Sequence, residues 1–408
     1  MLRKLLLVPL AALALTVCPA SAEPATGSAV QPDTQPFEQV LRQAEQGNRD
    51  AAYQAGTAYW QGETVPQDME QAVRWWMKAA EKGHPIAQFL LGSAYHDGNG
   101  ITKDARKSVQ WYRKSARQSY PPAQYYLGQS LLNGEGIKAD AAQAISWWKK
   151  AAAQGYSPAQ YRLGNALYSG VGIKRNPEAA IQWWTKAAEQ GHAESQRRLG
   201  NAYFFGEGVG KDREKAAFWY AEASRQSDAA AQFNLAFLYG QDNRSDTHDS
   251  TAVNLYRQAA IQGNAQAQFN LGLAYYNGKG IQKNRQKAVG WWHTAAQQGH
   301  AKAQFFLGLA CMGGEGTERN PRLGAIWFAK AAQQGNVLAM LSLANAFREG
   351  NGVKVSTVNA YVLVREAAGI DPDAKELLKA IQENMTGQQL DRAGGLTLQE
   401  VLAQVLAS

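Results

Sequence analysis

Apolar and small side chains recur at helical spacing in two neighbouring stretches of the chain, illustrated by residues 86–118. The first stretch, residues 86–97, carries an apolar stripe made of Ala87, Leu91, Ala94 and Tyr95. The second, residues 105–118, carries a facing stripe made of Val109, Trp111, Tyr112, Ser115 and Ala116. A Gly-Asn-Gly segment separates them, and glycine closes a helix in the left-handed conformation at little steric cost. The pattern predicts two amphipathic helices, A and B, that pack on each other.

This helix pair repeats every 36 residues without insertion or deletion. A large apolar residue of helix B recurs at Trp75, Trp111, Trp147, Trp183, Trp219, Leu255, Trp291, Trp327 and Leu363. A small residue of helix A recurs at Gly56, Gly92, Gly128, Gly164, Gly200, Ala236, Gly272, Gly308 and Ala344. A second small residue of helix B recurs at Ala80, Ala116, Ala152, Ala188, Ser224, Ala260, Ala296, Ala332 and Ala368. We expect the recurring Trp and Gly residues to form the core of the repeats.

The repeat also predicts the fold class. A single helix pair cannot bury its apolar stripe, whereas stacked pairs bury it continuously. Strand signals are absent from the sequence. We therefore predict an all-α, right-handed superhelical solenoid of nine helix-turn-helix repeats over residues 51–370.

The consensus is Ala-Gln-x-x-Leu-Gly in helix A, Gly-x-Gly in the turn and Ala-x-x-Trp-(Trp/Tyr)-x-x-Ala-Ala-x-x-Gly in helix B. It is seen at residues 159–164, 170–172 and 180–188. This pattern resembles the Sel-one-like repeat family, a branch of the tetratricopeptide-like solenoids, over residues 37–370. The resemblance implies a superhelical scaffold that binds other proteins. In bacteria such scaffolds often lie outside the cytoplasm and serve signalling, envelope assembly, host contact or the inhibition of another protein.

The first 22 residues have the features of a signal peptide. Arg3 and Lys4 supply a positive start, an apolar run too short to span a bilayer follows, and small residues precede a predicted cleavage after Ala22. We therefore predict a periplasmic protein. Secretion, or a lipid anchor on Cys18, remains the alternative.

Further segments flank the nine repeats. Residues 23–36 are rich in Pro, Thr, Gly and Ser and are expected to form a flexible linker. Residues 37–50 match a lone helix B and are expected to form an N-terminal capping helix. Residues 371–408 are expected to form C-terminal capping helices.

Charge and cysteine content exclude several classes of function. The formal net charge is +8, and removal of Arg3 and Lys4 with the leader leaves +6, with no run of five basic residues. This favours a mixed, solvated surface over nucleic-acid binding. Only Cys311 remains after cleavage, so the mature chain has no intramolecular disulfide, and we expect a buried structural thiol. No later stretch of eighteen apolar residues predicts a transmembrane segment.

Candidate catalytic and metal-binding motifs are incomplete. Residues 146–149, Ser-Trp-Trp-Lys, match the Ser-x-x-Lys of penicillin-interacting enzymes, but the chain has no Lys-Thr-Gly and no Ser-Asp-Asn. His84, His192 and His300 share one repeat position but lie three repeats apart, too far to share a metal ion. We therefore predict no enzyme activity, no cofactor and no metal. An envelope-directed hydrolase, acting on a β-lactam or on peptidoglycan, is the alternative.

The candidate binding residues lie on helix A outside the buried stripe. The residue after the consensus Gln is aromatic or Arg in most repeats, and the residue seven positions later often is too. Such side chains are the usual anchors of protein interfaces. Aromatic and arginine side chains occur together in the middle repeats. The predicted site is therefore Tyr125, Tyr161, Arg162, Tyr168, Arg197, Arg198, Phe204 and Phe205. The arginines would suit an acidic surface on a partner. The alternative, that the rings only complete packing between repeats, stays open.

The sixth repeat departs from the consensus. Asp242-Asn243-Arg244 replaces the Gly-x-Gly turn, and Leu255 stands where neighbouring repeats have Trp. Relaxed drift accounts for this, and a hinge or contact loop is the alternative.

Together these features predict an exported scaffold that holds a partner protein in the concave groove of its solenoid. The scaffold would act as an adaptor, or as an inhibitor of the immunity type that neutralises a toxic or regulatory partner.

Overall fold

The computed structural model describes residues 37–241 and 246–407, and these ranges are helical without any strand. The fold is an all-α solenoid of 36-residue helix pairs, which confirms the predicted fold class. The predicted signal peptide (1–22), the linker (23–36) and Asp242-Asn243-Arg244 lie outside the described residues.

The chain divides into two compact units, Met1–Asp212 and Arg213–Ser408. The first unit begins with α1 (Phe37–Glu45) and then alternates A and B helices. Its A helices are α2 (Arg49–Gln61), α4 (Pro85–Asp97), α6 (Pro121–Asn133), α8 (Ser157–Ser169) and α10 (Ala193–Phe205). Its B helices are α3 (Met69–Glu81), α5 (Ala105–Arg117), α7 (Ala141–Ala153) and α9 (Pro177–Glu189). Each helix packs on the next one along the chain.

The second unit begins with a B helix, α11 (Arg213–Arg225), and continues the alternation. Its A helices are α12 (Ala229–Gly240), α14 (Ala265–Asn277), α16 (Ala301–Gly313) and α18 (Val337–Glu349). Its other B helices are α13 (Asp246–Ile261), α15 (Arg285–Gln297), α17 (Pro321–Gln333) and α19 (Thr357–Ile370). A 3-10 turn at Pro372–Ala374 leads to α20 (Lys375–Glu383), α21 (Gly387–Gly394) and α22 (Leu398–Leu406). Helix α22 packs on α17 and α19 and buries Val401, Leu402 and Val405.

Each glycine of the Gly-x-Gly turn has its own role, as residues 170–172 show. Gly170 caps α8 in the left-handed conformation, with φ of 82°, and its N–H donates to the Ala166 carbonyl at 2.8 Å. Gly172 has φ of 70°, and a Cβ placed on it would stand 2.9 Å from the carbonyl oxygen of Ala141 in the preceding repeat. The first glycine therefore ends helix A, and the second allows the turn to pack directly on the B helix of the preceding repeat.

The small residue of helix A makes room for a ring of helix B. A Cβ on Gly164 would clash with the indole of Trp184, which is only 2% exposed. Gly92, Gly128, Gly272 and Gly308 lie against Tyr112, Trp148, Trp292 and Phe328 in the same way. Gly200 is likewise buried. The close approach of A and B helices thus depends on pairing a glycine with an aromatic ring.

The structure corrects which ring is buried. Trp183 is half-buried, and the Lys186 ammonium lies 4.5 Å from the centre of its ring. Of the Trp residues predicted to form the core, Trp75 and Trp327 are buried, while the half-buried ones are Trp111, Trp147, Trp183, Trp219 and Trp291. In the first eight repeats a buried ring stands one residue later, at Trp76, Tyr112, Trp148, Trp184, Tyr220, Tyr256, Trp292 and Phe328. The core prediction therefore holds for two of the seven Trp residues, and in the other five repeats the neighbouring ring is the buried one. The sequence does not separate the two neighbours because both are large and apolar.

A ladder of glutamines bonds successive repeats to one another. Gln160 is buried on α8, where its Nε2 donates to the Ala152 carbonyl at 3.2 Å and its Oε1 accepts from Gln190 Nε2 at 2.8 Å. One side chain therefore joins the B helix of the preceding repeat to the end of the B helix in its own repeat. The same two bonds occur at Gln88, Gln124, Gln268 and Gln304. Since an unpaired buried amide costs about 1–3 kcal/mol, this glutamine ladder fixes the register of the stack.

Candidate functional site

The eight residues of the predicted binding site lie on the A helices α6, α8 and α10 of the first unit. We call them the middle wall: Tyr125, Tyr161, Arg162, Tyr168, Arg197, Arg198, Phe204 and Phe205. Seven of them are half-buried, and Phe205 is 58% exposed. The middle wall therefore presents partly accessible rings and guanidinium groups on three consecutive repeats.

Two rings of the middle wall also pack against the residue that begins the next A helix. The Tyr125 ring lies 5.7 Å from that of Tyr156, and the Tyr161 ring lies 4.9 Å from that of His192. The same contact occurs in the pairs Tyr53–His84, Phe89–Tyr120 and Phe269–His300. Packing between repeats, the alternative interpretation, thus accounts for part of what these rings do.

Outside the middle repeats, the same helix position is buried in three repeats and half-buried at Tyr53, Phe233 and Leu341. Phe89, Phe269 and Phe305 are 1%, 5% and 9% exposed. Tyr125 and Tyr161 remain half-buried and carry a hydroxyl. This position is therefore both partly exposed and polar at Tyr53, Tyr125 and Tyr161, and the last two lie on consecutive repeats of the middle wall.

Arg162 connects two repeats of the middle wall. Its Nε donates to the Tyr125 hydroxyl at 3.4 Å, and its guanidinium lies 5.9 Å from the centre of the Tyr161 ring. Burial lowers the pKa of the neighbouring His192, and the positive charge of Arg162 lowers it further. The negative charge of Glu194 acts in the opposite direction and raises this pKa. The result is a half-buried cation held between two tyrosines.

Tyr168 forms the second cluster of the wall, and it includes an acid that the prediction missed. Its ring lies 5.4 Å from Trp184, and its hydroxyl donates to Glu207 in the turn of the next repeat. Hydrogen bonding to this carboxylate raises the pKa of Tyr168. The same link recurs in the pairs His96–Glu135 and Tyr276–Glu315. The sequence does carry a signal for these acids, because Glu135, Glu207 and Glu315 each lie in a Gly-Glu-Gly turn and are separated by multiples of 36 residues.

The remaining residues of the wall lie on α10. Phe204 and Phe205 make an edge-to-face pair with centroids 4.9 Å apart. The Nε of Arg198 is buried without a hydrogen-bond partner among the described residues. An exposed ring thus lies on the same helix as a guanidinium that has a free hydrogen-bonding group.

The other candidate residues have structural surroundings. Ser146 and Lys149 are both exposed on α7, where the serine lacks the sheltered cleft that activates a nucleophile. The described residues contain no cluster of His, Cys, Asp and Glu that could hold a metal ion. Cys311 is 3% exposed, and burial raises the pKa of its thiol, which favours the unreactive protonated form.

The histidines that share a repeat position cap A helices. Nδ1 of His84, His192 and His300 accepts a hydrogen bond from the backbone N–H three residues later, at 3.1, 3.2 and 3.1 Å. Asn264 and Asn336 make the same bond through their side-chain oxygens. An acceptor at this position is common but not required, because Tyr120 and Tyr156 begin α6 and α8 without a side-chain cap.

The repeats match one family model along most of the chain. The Sel1 repeat model matches residues 49–84, 85–120, 121–156, 157–192, 193–228, 229–264, 265–300, 301–336 and 337–368. The chain belongs to the Sel1 repeat family. Sel1 repeat proteins are scaffolds that bind other proteins, and their fold is typically non-enzymatic. Within the described residues, no helix is long and apolar enough to cross a membrane.

Solved structures of Sel1 repeat proteins resemble this chain. A protective antigen of uropathogenic Escherichia coli strains, which has an SLR fold, is 29% identical with a TM-score of 0.53 over 91% of this chain and 96% of the antigen. A Sel1 repeat protein from Oxalobacter formigenes is 31% identical with a TM-score of 0.53 over 60% of this chain and 96% of its own. A search of curated proteins found no match.

Proposed function

We propose that this chain is an exported Sel1 repeat scaffold that holds a partner protein against the middle wall. The cluster of Tyr125, Tyr161 and Arg162 carries the proposal, because it combines rings and a cation that are only half-buried on neighbouring repeats. Aromatic and arginine side chains are the commonest strong anchors of interfaces. The partner surface would offer an acidic group to the arginines and an apolar one to Phe205.

The proposal covers two versions of the partner. An adaptor would hold a partner that stays active, and an inhibitor of the immunity type would silence a toxic or regulatory one. The activity of the purified partner, measured with and without a stoichiometric amount of this protein, separates the two versions.

The double variant Tyr161→Ala, Arg162→Ala is expected to weaken partner binding about 30-fold or more, since an interface hot spot contributes about 2 kcal/mol or more. Calorimetry or biolayer interferometry with the partner recovered from the exported fraction would measure the loss.

The matched control for this variant is Trp147→Ala, Lys150→Ala. It removes another ring and cation in contact, 4.2 Å apart, from a B helix of the same unit. Melting temperatures show whether both variants stay folded. Binding that survives the first double variant but is lost in the control would move the interface to the B helices and overturn the proposal.

Export predicts a mature chain that begins at Glu23. Mass spectrometry of the protein from the osmotic-shock fraction is expected to give this N-terminus, because cleavage follows the small residues that end at Ala22. Cys18→Ser should leave the fractionation unchanged. A shift of that variant from the membrane to the soluble fraction would instead support the lipid anchor.

A further inference from the structure

A pocket of about 240 Å³ opens in the second unit, between α12, α13 and α14 of the divergent sixth repeat and the seventh. Its apolar lining includes Phe237, Val253, Tyr256 and Leu273. Phe237 is 38% exposed. Polar groups lie at its edge, among them Asp249 and Lys279. We call this space the repeat-six pocket.

The other repeats show what normally fills this place. Gly240, which lines the pocket, stands 72 residues after Tyr168 and 36 residues before Tyr276. Those two tyrosines pack on Trp184 and Trp292, each with ring centroids 5.4 Å apart. Tyr256, at the equivalent position of α13, supplies the corresponding wall of the pocket. The repeat-six pocket therefore corresponds to the space of a tyrosine side chain that this repeat lacks.

The backbone at residue 240 does not require a glycine. Gly240 lies outside the left-handed region, and among the described residues a Cβ placed on it would meet only the Tyr256 hydroxyl, at an ordinary distance of 3.8 Å. The glycine is thus neither a turn residue nor a point of close helix contact. Its absent side chain leaves open space rather than a tighter packing of the helices.

The polar residue at the mouth of the pocket also differs from its counterparts in the other repeats. Tyr168 and Tyr276 donate their hydroxyl protons to Glu207 and Glu315, and Lys279 occupies the equivalent turn position. Lys279 Nζ lies 3.1 Å from Asp249 Oδ1 and donates to the Gly240 carbonyl at 3.2 Å. Its ammonium has three donors, so one proton remains to be donated. A donor has therefore replaced an acceptor beside the place of the tyrosine hydroxyl.

The Tyr256 ring in the wall of the pocket stays neutral at physiological pH. Burial raises the pKa of Tyr256 to about 12, partly offset by its hydrogen bond with Asn270. An uncharged aromatic occupant therefore meets the neutral ring of Tyr256 in the wall and the ion pair of Lys279 and Asp249 at the mouth.

We infer that the repeat-six pocket receives a tyrosine side chain of the partner protein, with Lys279 donating a hydrogen bond to its phenol oxygen. The guest ring takes the place that Tyr168 and Tyr276 take in their own repeats. This inference rests on the proposed protein-binding function and adds to it an aromatic anchor on the second unit.

The first test uses p-cresol, which is the tyrosine side chain alone, with toluene as the probe that lacks the hydroxyl. Titration of the full chain with p-cresol is expected to shift the methyl NMR signals of Val253 and Leu273 saturably, and toluene to bind several-fold more weakly. Lys279→Met should remove the preference for p-cresol. Equal binding of both probes by the wild type, or shifts that avoid these methyl groups, would overturn the inference.

The second test fills the pocket with the protein's own side chain. Gly240→Tyr is expected to abolish the p-cresol shifts and to weaken partner binding about 30-fold, the effect of losing one strong anchor. Gly290→Tyr is the matched control, because a Cβ at Gly290 meets open space. It should change neither measurement. Should Gly240→Tyr not fold, the p-cresol titration of the wild type and of Lys279→Met still decides.

The two proposals fail in different ways. A wild-type chain that retains no exported protein refutes the proposed function, whatever p-cresol does. Partner binding that is lost in Tyr161→Ala, Arg162→Ala but unchanged in Gly240→Tyr refutes only the tyrosine in the repeat-six pocket.

Discussion

Replacing Trp184 by alanine is expected to lower the free energy of unfolding of the first unit by about 3–5 kcal/mol, the range for deleting a large buried ring. Trp184 is 2% exposed, lies against Gly164 and has the Tyr168 ring 5.4 Å away. Its loss leaves a cavity between helices whose spacing the glutamine ladder holds fixed. Urea unfolding, with hydrogen exchange of the α8 and α9 amides as a local probe, would measure the change.

Trp183→Ala is the control, since it removes the same side chain one residue earlier in the same helix. Trp183 is half-buried beneath Lys186, so a clearly smaller loss is expected. Equal losses for the two variants, or a larger one for Trp183→Ala, would show that the buried ring is wrongly assigned.

Acidification is expected to destabilise both units through the histidine caps. Nδ1 of His84, His192 and His300 must be unprotonated to accept the N–H of its helix, and burial lowers the pKa of all three. A pKa below the unfolded value of about 6.5 means that this stability is complete above that pH. It is lost as the pH falls below about 6.5 towards the lowered folded value, by about 0.5–2 kcal/mol for each cap.

Neighbouring charges raise or lower the pKa of these histidines according to their sign. Asp50 raises the pKa of His84 and Glu194 that of His192, while Arg49 and Arg162 lower them. Burial outweighs the two carboxylates in each case. His300 has Lys302 nearby, which lowers its pKa further. All three caps therefore respond to acid in the same direction.

The triple variant His84→Asn, His192→Asn, His300→Asn isolates this effect. Asparagine caps the same position at Asn264 and Asn336 and does not titrate in this range. Unfolding by urea at several pH values should show a steeper loss of stability in the wild type between about pH 7 and 5. Parallel curves for the two proteins would refute the role of the caps.

The sequence predicted the repeat because its requirements are local and recur at one spacing. Gly164 must be small to admit a ring, Gly170 must adopt a left-handed conformation, and both needs return every 36 residues. The helix starts were equally accessible, since His192 shares its position with asparagines that are good N-caps.

Other features depend on contacts that no spacing reveals. Trp183 and Trp184 look alike in sequence, and only the direction of each side chain separates core from surface. Glu207 joined the candidate site because a turn of one repeat meets Tyr168 of the repeat before it. The sequence did not single out Gly240, and the missing side chain became visible only in the space beside Tyr256.

The glutamine ladder has a consequence for how such a chain can evolve. Donor, acceptor and spacing are the same at Gln88, Gln124, Gln160, Gln268 and Gln304. A whole 36-residue unit copied in tandem would therefore meet its new neighbours with every one of these amides satisfied, whereas a copied fragment of another length would not. Duplication or loss of whole units can thus lengthen or shorten the scaffold by 36 residues at a time, while the recognition residues of each unit diverge independently.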